Sequence, residues 1–240
     1  MPPVRESKTP FPPTRWTLVQ RVQEGGDLAA PALEELCEAY WFPLYGWARR
    51  SGVSPADAED LVQGFFSDVL RKQLFARADS EKGRLRTFLL TAFRRYHRDV
   101  RDKAAAIQRG GDRVVSFDAL AGEEWYQAQP SHSANADAFY DRQWALAVLE
   151  RAMDRLATDY AGRGKGADFE QLRQYLTNDR EVDYAKDAEV LGLTIGAVKV
   201  AVHRMRERFG EALRGEIAAT QSEGEDVDQE LAHLLRALEA

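Results

Sequence analysis

The chain carries one cysteine, Cys37. A lone thiol excludes a disulfide framework and a cysteine-based metal site, and it fits a reducing cytoplasm. Cys37 falls on an apolar helical face, so a core position is expected for it. Histidine is scarce too. His97, His132, His203 and His233 are scattered, with neither metal-ligand spacing nor a nucleophile motif beside them. Catalysis, a metal and a cofactor are therefore not expected. No apolar run approaches the roughly 20 residues of a spanning helix, so membrane insertion is not expected either. The opening MPPVRESKTPFPP lacks the apolar core of a secretion signal, and residues 1–14, rich in proline, read as a disordered tail. No convincing strand alternation occurs. The Gly-Lys pair in AGRGKGAD lacks the glycine spacing and the Ser/Thr of a phosphate loop, and marks only a break between helices.

What is present is helical periodicity and an uneven distribution of charge. The formal net charge is −6, yet GRLRTFLLTAFRRYHRDVRDKAAAIQRGG, Gly83 to Gly111, is basic and the end, EIAATQSEGEDVDQELAHLLRALEA, is acidic. Such asymmetry points to a nucleic-acid surface on one part and another task for the other. Leu33, Leu36, Cys37, Tyr40, Trp41 and Leu44 form one apolar stripe, which Pro43 should bend or end. Ser54–Pro55 reads as an N-cap followed by proline in the first turn, with Asp57 completing the signal. Leu61, Val62, Phe65, Phe66, Val69 and Leu70 then line the next helix, with Asp57, Asp60, Gln63, Gly64 and Ser67 outside. In the basic stretch Leu85, Phe88, Leu89, Ala92, Phe93, Tyr96 and Val100 share one face. Arg94, Arg98 and Arg101 lie opposite, with Arg86 and Arg95 at the boundary. Phe88, Phe93 and Tyr96 are thus expected in the core.

A second segment, DYAKDAEVLGLTIGAVKVAVHRMRERF, Asp183 to Phe209, spaces Ala188, Gly192 and Val198 as a helix-turn-helix requires. Such a motif needs a small residue where its helices touch, a glycine in the turn and an apolar anchor beneath the second helix. Thr194 can cap that helix. Lys199, His203, Arg204, Arg206 and Arg208 give it a basic side suited to the major groove. Asp187 stands where such motifs usually place an apolar residue, so a local rotation of the first helix is expected.

The order of these elements resembles the sigma-70 superfamily of bacterial RNA polymerase sigma factors, of the extracytoplasmic-function type. The resemblance rests on ALEELCEAYWFPLYGWARR, DAEDLVQGFF, GRLRTFLLTAFRRYHRD and LGLTIGAVKVAVHRMRERF. It covers about Ala30 to Ala104 and Asp141 to Arg214. It implies an all-α fold of two small domains: a sigma2-like helical bundle over 15–111 and a sigma4-like helix-turn-helix over 141–215. A flexible linker over 112–140 would join them, and 216–240 would be an acidic helical extension.

By the same resemblance, the partners are core RNA polymerase, through its clamp and flap, and promoter DNA. Asp57, Asp60, Gln63, Gly64 and Ser67 would meet the clamp, with Glu59 turned partly inward. The loop Phe75–Lys82 would cradle an extruded base of the −10 element, since pairing edges are readable only after the strands part. Arg86, Arg94, Arg95, Arg98 and Arg101 would hold the DNA there. Thr194, Lys199, Val200, His203, Arg204 and Arg206 would face the −35 element, where Val200 and Ala201 replace polar residues and favour methyl contacts and groove shape. Gly64 removes one charge from the clamp face. A Ser/Thr kinase acting on Ser67 and an anti-sigma factor are candidate regulators. Along the extension, Val227, Leu231, Leu234, Leu235 and Leu238 share a side that could pack on the second domain or cover its basic surface. Two other classes compete: a helix-turn-helix regulator acting without polymerase, which has no use for DAEDLVQ, and an enzyme.

Overall fold

The computed structural model describes residues 16–77, 84–106, 123–124, 126–127, 135–177, 183–221 and 226–239. The expected N-terminal tail, most of the loop Phe75–Lys82 and most of the linker lie outside them. Among the described residues every regular element is helical. In chain order these are α1 Trp16–Glu24, α2 Ala29–Arg50, α3 Pro55–Arg71, a 3-10 turn Leu74–Arg77, α4 Leu85–Ala106, α5 Ala136–Gly162, α6 Gly166–Leu172, α7 Gln174–Thr177, α8 Tyr184–Leu191, α9 Ile195–Ala218 and α10 Val227–Glu239. The chain divides into two compact units. One comprises residues 1–147 and 218–240, the other Val148–Ile217. The division therefore falls inside α5, whereas the sequence reading places it at 140/141.

Helix α2 runs through Pro43 instead of ending there. A proline inside a helix costs about 3 kcal/mol. Around it Tyr40, Leu44, Tyr45 and Trp47 are all buried, each stabilising by about 1.5–3 kcal/mol, so burial outweighs the lost hydrogen bond. Cys37 is only partly buried. Its thiol is pushed up to about 11, first by burial and then by Glu34 and Glu38, which keeps it protonated.

Helix α3 starts as its sequence dictates. Ser54 is the N-cap, its Oγ accepts the Asp57 backbone N–H at 3.3 Å, and Pro55 occupies the first turn. Its inner face buries Leu61, Val62, Phe65, Phe66 and Val69, whereas Leu70, expected with them, is exposed. Phe65 meets Phe93 of α4 edge-on at 5.1 Å, and Trp47 of α2 meets Phe93 at 5.6 Å. Phe93 is fully buried. Phe88 and Tyr96, expected in the core, are only half-buried and line a groove between α3 and α4, and Val100 is exposed.

Two later segments complete this unit. Glu123, within the expected linker, accepts hydrogen bonds from Tyr45 Oη at 2.7 Å, Arg49 Nε at 2.8 Å, Arg49 Nη2 at 3.0 Å and Gln127 Nε2 at 2.8 Å. Those bonds, Arg49's foremost, hold its carboxyl down to about 2. This part of the linker is anchored on α2 and is not a free tether. Helix α10 belongs to the same unit. Glu230, Leu234 and Ala237 form its buried face, and Leu235 is exposed. The face is rotated from the leucine stripe because it includes an acid. Arg142 Nη1 donates to the Leu238 carbonyl at 2.6 Å.

Candidate nucleic-acid interface

In the unit Val148–Ile217, Leu156, Tyr160, Phe169, Leu172, Tyr175, Ala188, Val198, Val202 and Met205 form one buried core. Helix α8 begins at Asp183, whose carboxylate accepts the backbone N–H groups of Ala185 and Lys186. It ends at Gly192, which adopts φ 64°, ψ 30°, a left-handed conformation that side chains with a Cβ avoid. Leu193 N–H then closes on the Ala188 carbonyl at 2.9 Å. Thr194 Oγ accepts the Ala197 N–H at 3.2 Å and so starts α9. Ala188 and Val198 are both buried beneath this corner. Helix α8, a turn through Gly192 and helix α9 thus follow one another, with the three spaced residues at their corner.

Asp187 needs no rotation of α8. It is buried and accepts from Gln171 Nε2 at 2.5 Å, Gln174 Nε2 at 3.4 Å and the Tyr175 hydroxyl. Burial and the bond to Asp187 together push the Tyr175 hydroxyl up, so it stays a donor. The misfit in the motif is a carboxylate that ties α8 to α6 and α7. No sequence signal marks its donors.

Helix α9 turns its core residues inward and leaves Lys199, Val200, His203, Arg204 and Arg206 exposed. Lys199 Nζ lies 5.5 Å from the Tyr184 ring, and Tyr184 stacks on Tyr175 at 5.2 Å. His203 Nε2 lies 3.3 Å from Glu207 Oε1. Arg206 donates from Nη2 to the Tyr175 carbonyl at 3.2 Å, so part of its guanidinium is engaged in holding α7. Arg208 leans over Tyr160 at 5.6 Å. Arg204 has no ion-pair or hydrogen-bond partner among the described residues.

In the other unit the five arginines separate. Arg95 and Arg98 are exposed and lack ion-pair partners among the described residues. Arg101 is exposed, with Asp102 at 4.0 Å. Arg94 pairs with Asp137, which also accepts from Trp47 Nε1 at 2.7 Å. Arg86 is placed differently from its expected position at a DNA-facing boundary. It is 5% exposed, bound to Glu230, with its guanidinium carbon 3.7 Å from the Trp144 ring centroid. Arg84 reaches the same carboxylate at 2.7 Å. No phosphate could reach Arg86 in this arrangement.

Between α3 and α4 a groove of about 660 Å³ is lined by Lys72, Arg84, Thr87, Phe88, Arg95 and Tyr96, among others. It joins Arg95, threonine hydroxyls and aromatic rings, side chains that take up a nucleotide, with the acids Asp68 and Asp99, while Lys72 is paired with Asp68 and Arg84 with Glu230. Lys72, Arg84, Thr87 and Thr91 are absent from the sequence-derived set, since only the packing of the two helices brings them together. On the outside of α3, Asp57, Asp60 and Ser67 are exposed and Gln63 and Gly64 half-buried. Ser54 Oγ donates to Asp57 at 2.6 Å, Gln63 Nε2 to the buried Glu59 at 3.1 Å and Ser67 Oγ to the Gln63 carbonyl at 3.0 Å. A side chain at Gly64 would collide with the Tyr96 hydroxyl. Glycine there leaves room for the Tyr96 side chain of α4. His97 sits against Trp47 at 5.7 Å, and burial, then Arg101, lowers its pKa.

Among the described residues no group of His, Cys, Asp and Glu could hold a metal ion, and no helix is long and apolar enough to cross a membrane. No family profile, curated protein or solved structure matches the chain.

Proposed function

We propose that the chain is a sigma factor of the extracytoplasmic-function type, which binds core RNA polymerase, recognises promoter −10 and −35 elements and starts transcription without chemistry of its own. The observation that carries this reading is the corner α8–Gly192–α9, with Lys199, His203 and Arg204 directed outward from a packed core. A helix so presented suits the major groove of intact duplex. The groove between α3 and α4, with Phe88, Tyr96 and Arg95 in its lining, suits a parted strand, and the exposed Arg95 and Arg98 suit its phosphates. The exposed acids Asp57 and Asp60 on α3 suit a basic polymerase surface. This face separates the reading from that of a simple duplex-binding regulator.

The protein is expected to co-elute with purified core RNA polymerase in gel filtration. Asp60→Arg should weaken that association by about tenfold or more, since like charges facing across an interface cost several kcal/mol. Asp60 is exposed, so the fold should survive. Absence of any complex with the wild-type chain would sink the proposal.

A further inference from the structure

Among the described residues of the unit Val148–Ile217, four large apolar side chains are exposed, and all lie between residues 190 and 200. They are Val190 at 60%, Leu193 at 43%, Ile195 at 48% and Val200 at 49%. Val190 closes α8, Leu193 lies in the turn, and Ile195 and Val200 belong to the first turns of α9. Val200 holds the centre of the outward face of α9. Gly196 stands one turn before it, Lys199, His203 and Arg204 stand at its sides, and Glu207, paired with His203, stands two turns beyond.

The hydrogen-bonding capacity of this end of the helix is small. From Ile195 to Val200 only Lys199 carries a polar side chain, and it lies against the Tyr184 ring. The Thr194 hydroxyl is engaged as the cap of α9. An exposed valine with Lys199 and Arg204 beside it matches a polyanion that displays an apolar group between its charges. In the major groove the base edges offer one such group, the C5-methyl of thymine.

Resting on the promoter-binding reading above, we propose that Val200 is the specificity-determining residue of α9 and that it recognises thymine by its methyl group. Lys199, His203 and Arg204 supply sequence-independent attraction around it. The −35 preference is then for a thymine placed under Val200, recognised by contact and not by hydrogen bonds.

The test uses the full chain with core polymerase and a duplex library randomised over the −35 region. From the enriched duplex, each thymine is replaced in turn by deoxyuridine, which removes the methyl and leaves every hydrogen-bonding group. At one or two positions the wild-type chain should bind about fourfold more weakly, the worth of one buried methyl. Val200→Ala should bind the thymine and deoxyuridine duplexes alike at those positions, with unchanged helical circular dichroism. The proposal is overturned if no thymine is sensitive, or if Val200→Ala keeps the full sensitivity. In both cases an enriched sequence leaves the promoter-binding reading standing. If no sequence is enriched at all, that reading fails and this one fails with it.

Discussion

Replacing Glu230 by glutamine should destabilise the first unit by about 3–5 kcal/mol, the usual consequence of removing one partner from a buried ion pair. Glu230 is fully buried, and its carboxylate meets Arg86, itself 5% exposed, and Arg84. Without the anion, the buried Arg86 guanidinium keeps only the Trp144 ring and the more distant Asp141 carboxylate, 3.9 Å from its Nε. Thermal unfolding should then begin on the order of 10 °C lower, given about 2–4 °C per kcal/mol for a chain of this size. The double variant Glu230→Met, Arg86→Met should recover much of the loss, because apolar replacement of a buried pair is often neutral or better. If the single variant unfolds at the wild-type temperature, α10 is not a structural clasp. Deletion of residues 221–240 extends the prediction to function. A clasp predicts lower stability and lower promoter activity on deletion, whereas a restraint over the DNA-binding surface predicts higher activity.

Asp187→Ala should cost the second unit about 1–3 kcal/mol, the desolvation penalty of a buried donor left without an acceptor. Three donors converge on this carboxylate. Gln171 and Gln174 can turn to water, but Tyr175 is only 3% exposed. The consequence for DNA follows from the backbone. Asp187 ties α8 to α6 and α7, and Tyr175 also offers its carbonyl to Arg206 of α9. Loosening α8 therefore frees the corner that fixes the pitch of α9. Asp187→Asn, which keeps one acceptor oxygen, should lie between the two. Chemical denaturation checks the order wild type, Asn, Ala, and equal midpoints would overturn the argument.

Much of this was legible in the sequence because it is local. Ser54–Pro55, the glycine at 192 and the Thr194 cap are short-range devices, readable from a few residues, and the structure has all three. The apolar stripes of α2, α3 and α4 follow from a period of 3.6. What escaped was set by partners far along the chain. Arg86 lies between Phe93 and Leu90 on the helical wheel, close enough to the core side to go either way. Its placement is decided by Glu230, 144 residues later. The docking of Glu123 on Tyr45 and Arg49 spans more than 70 residues. Asp187 looked like a defect because its donors sit on two other helices. Pro43 was expected to bend or end α2, and the helix continues through it, since the local rule ignores the burial of the residues around it. The candidate sites divide in the same way. The outward face of α9 could be read from the sequence, whereas the groove between α3 and α4 depends on how two helices pack.

Run-off transcription with purified core RNA polymerase, this chain and the enriched promoter duplex tests the central claim most directly. The account predicts a discrete transcript from a fixed start point only when the chain is added, and its loss when Lys199 and Arg204 are both replaced by alanine. Equal transcript in the absence of the chain, or none in its presence, would contradict it.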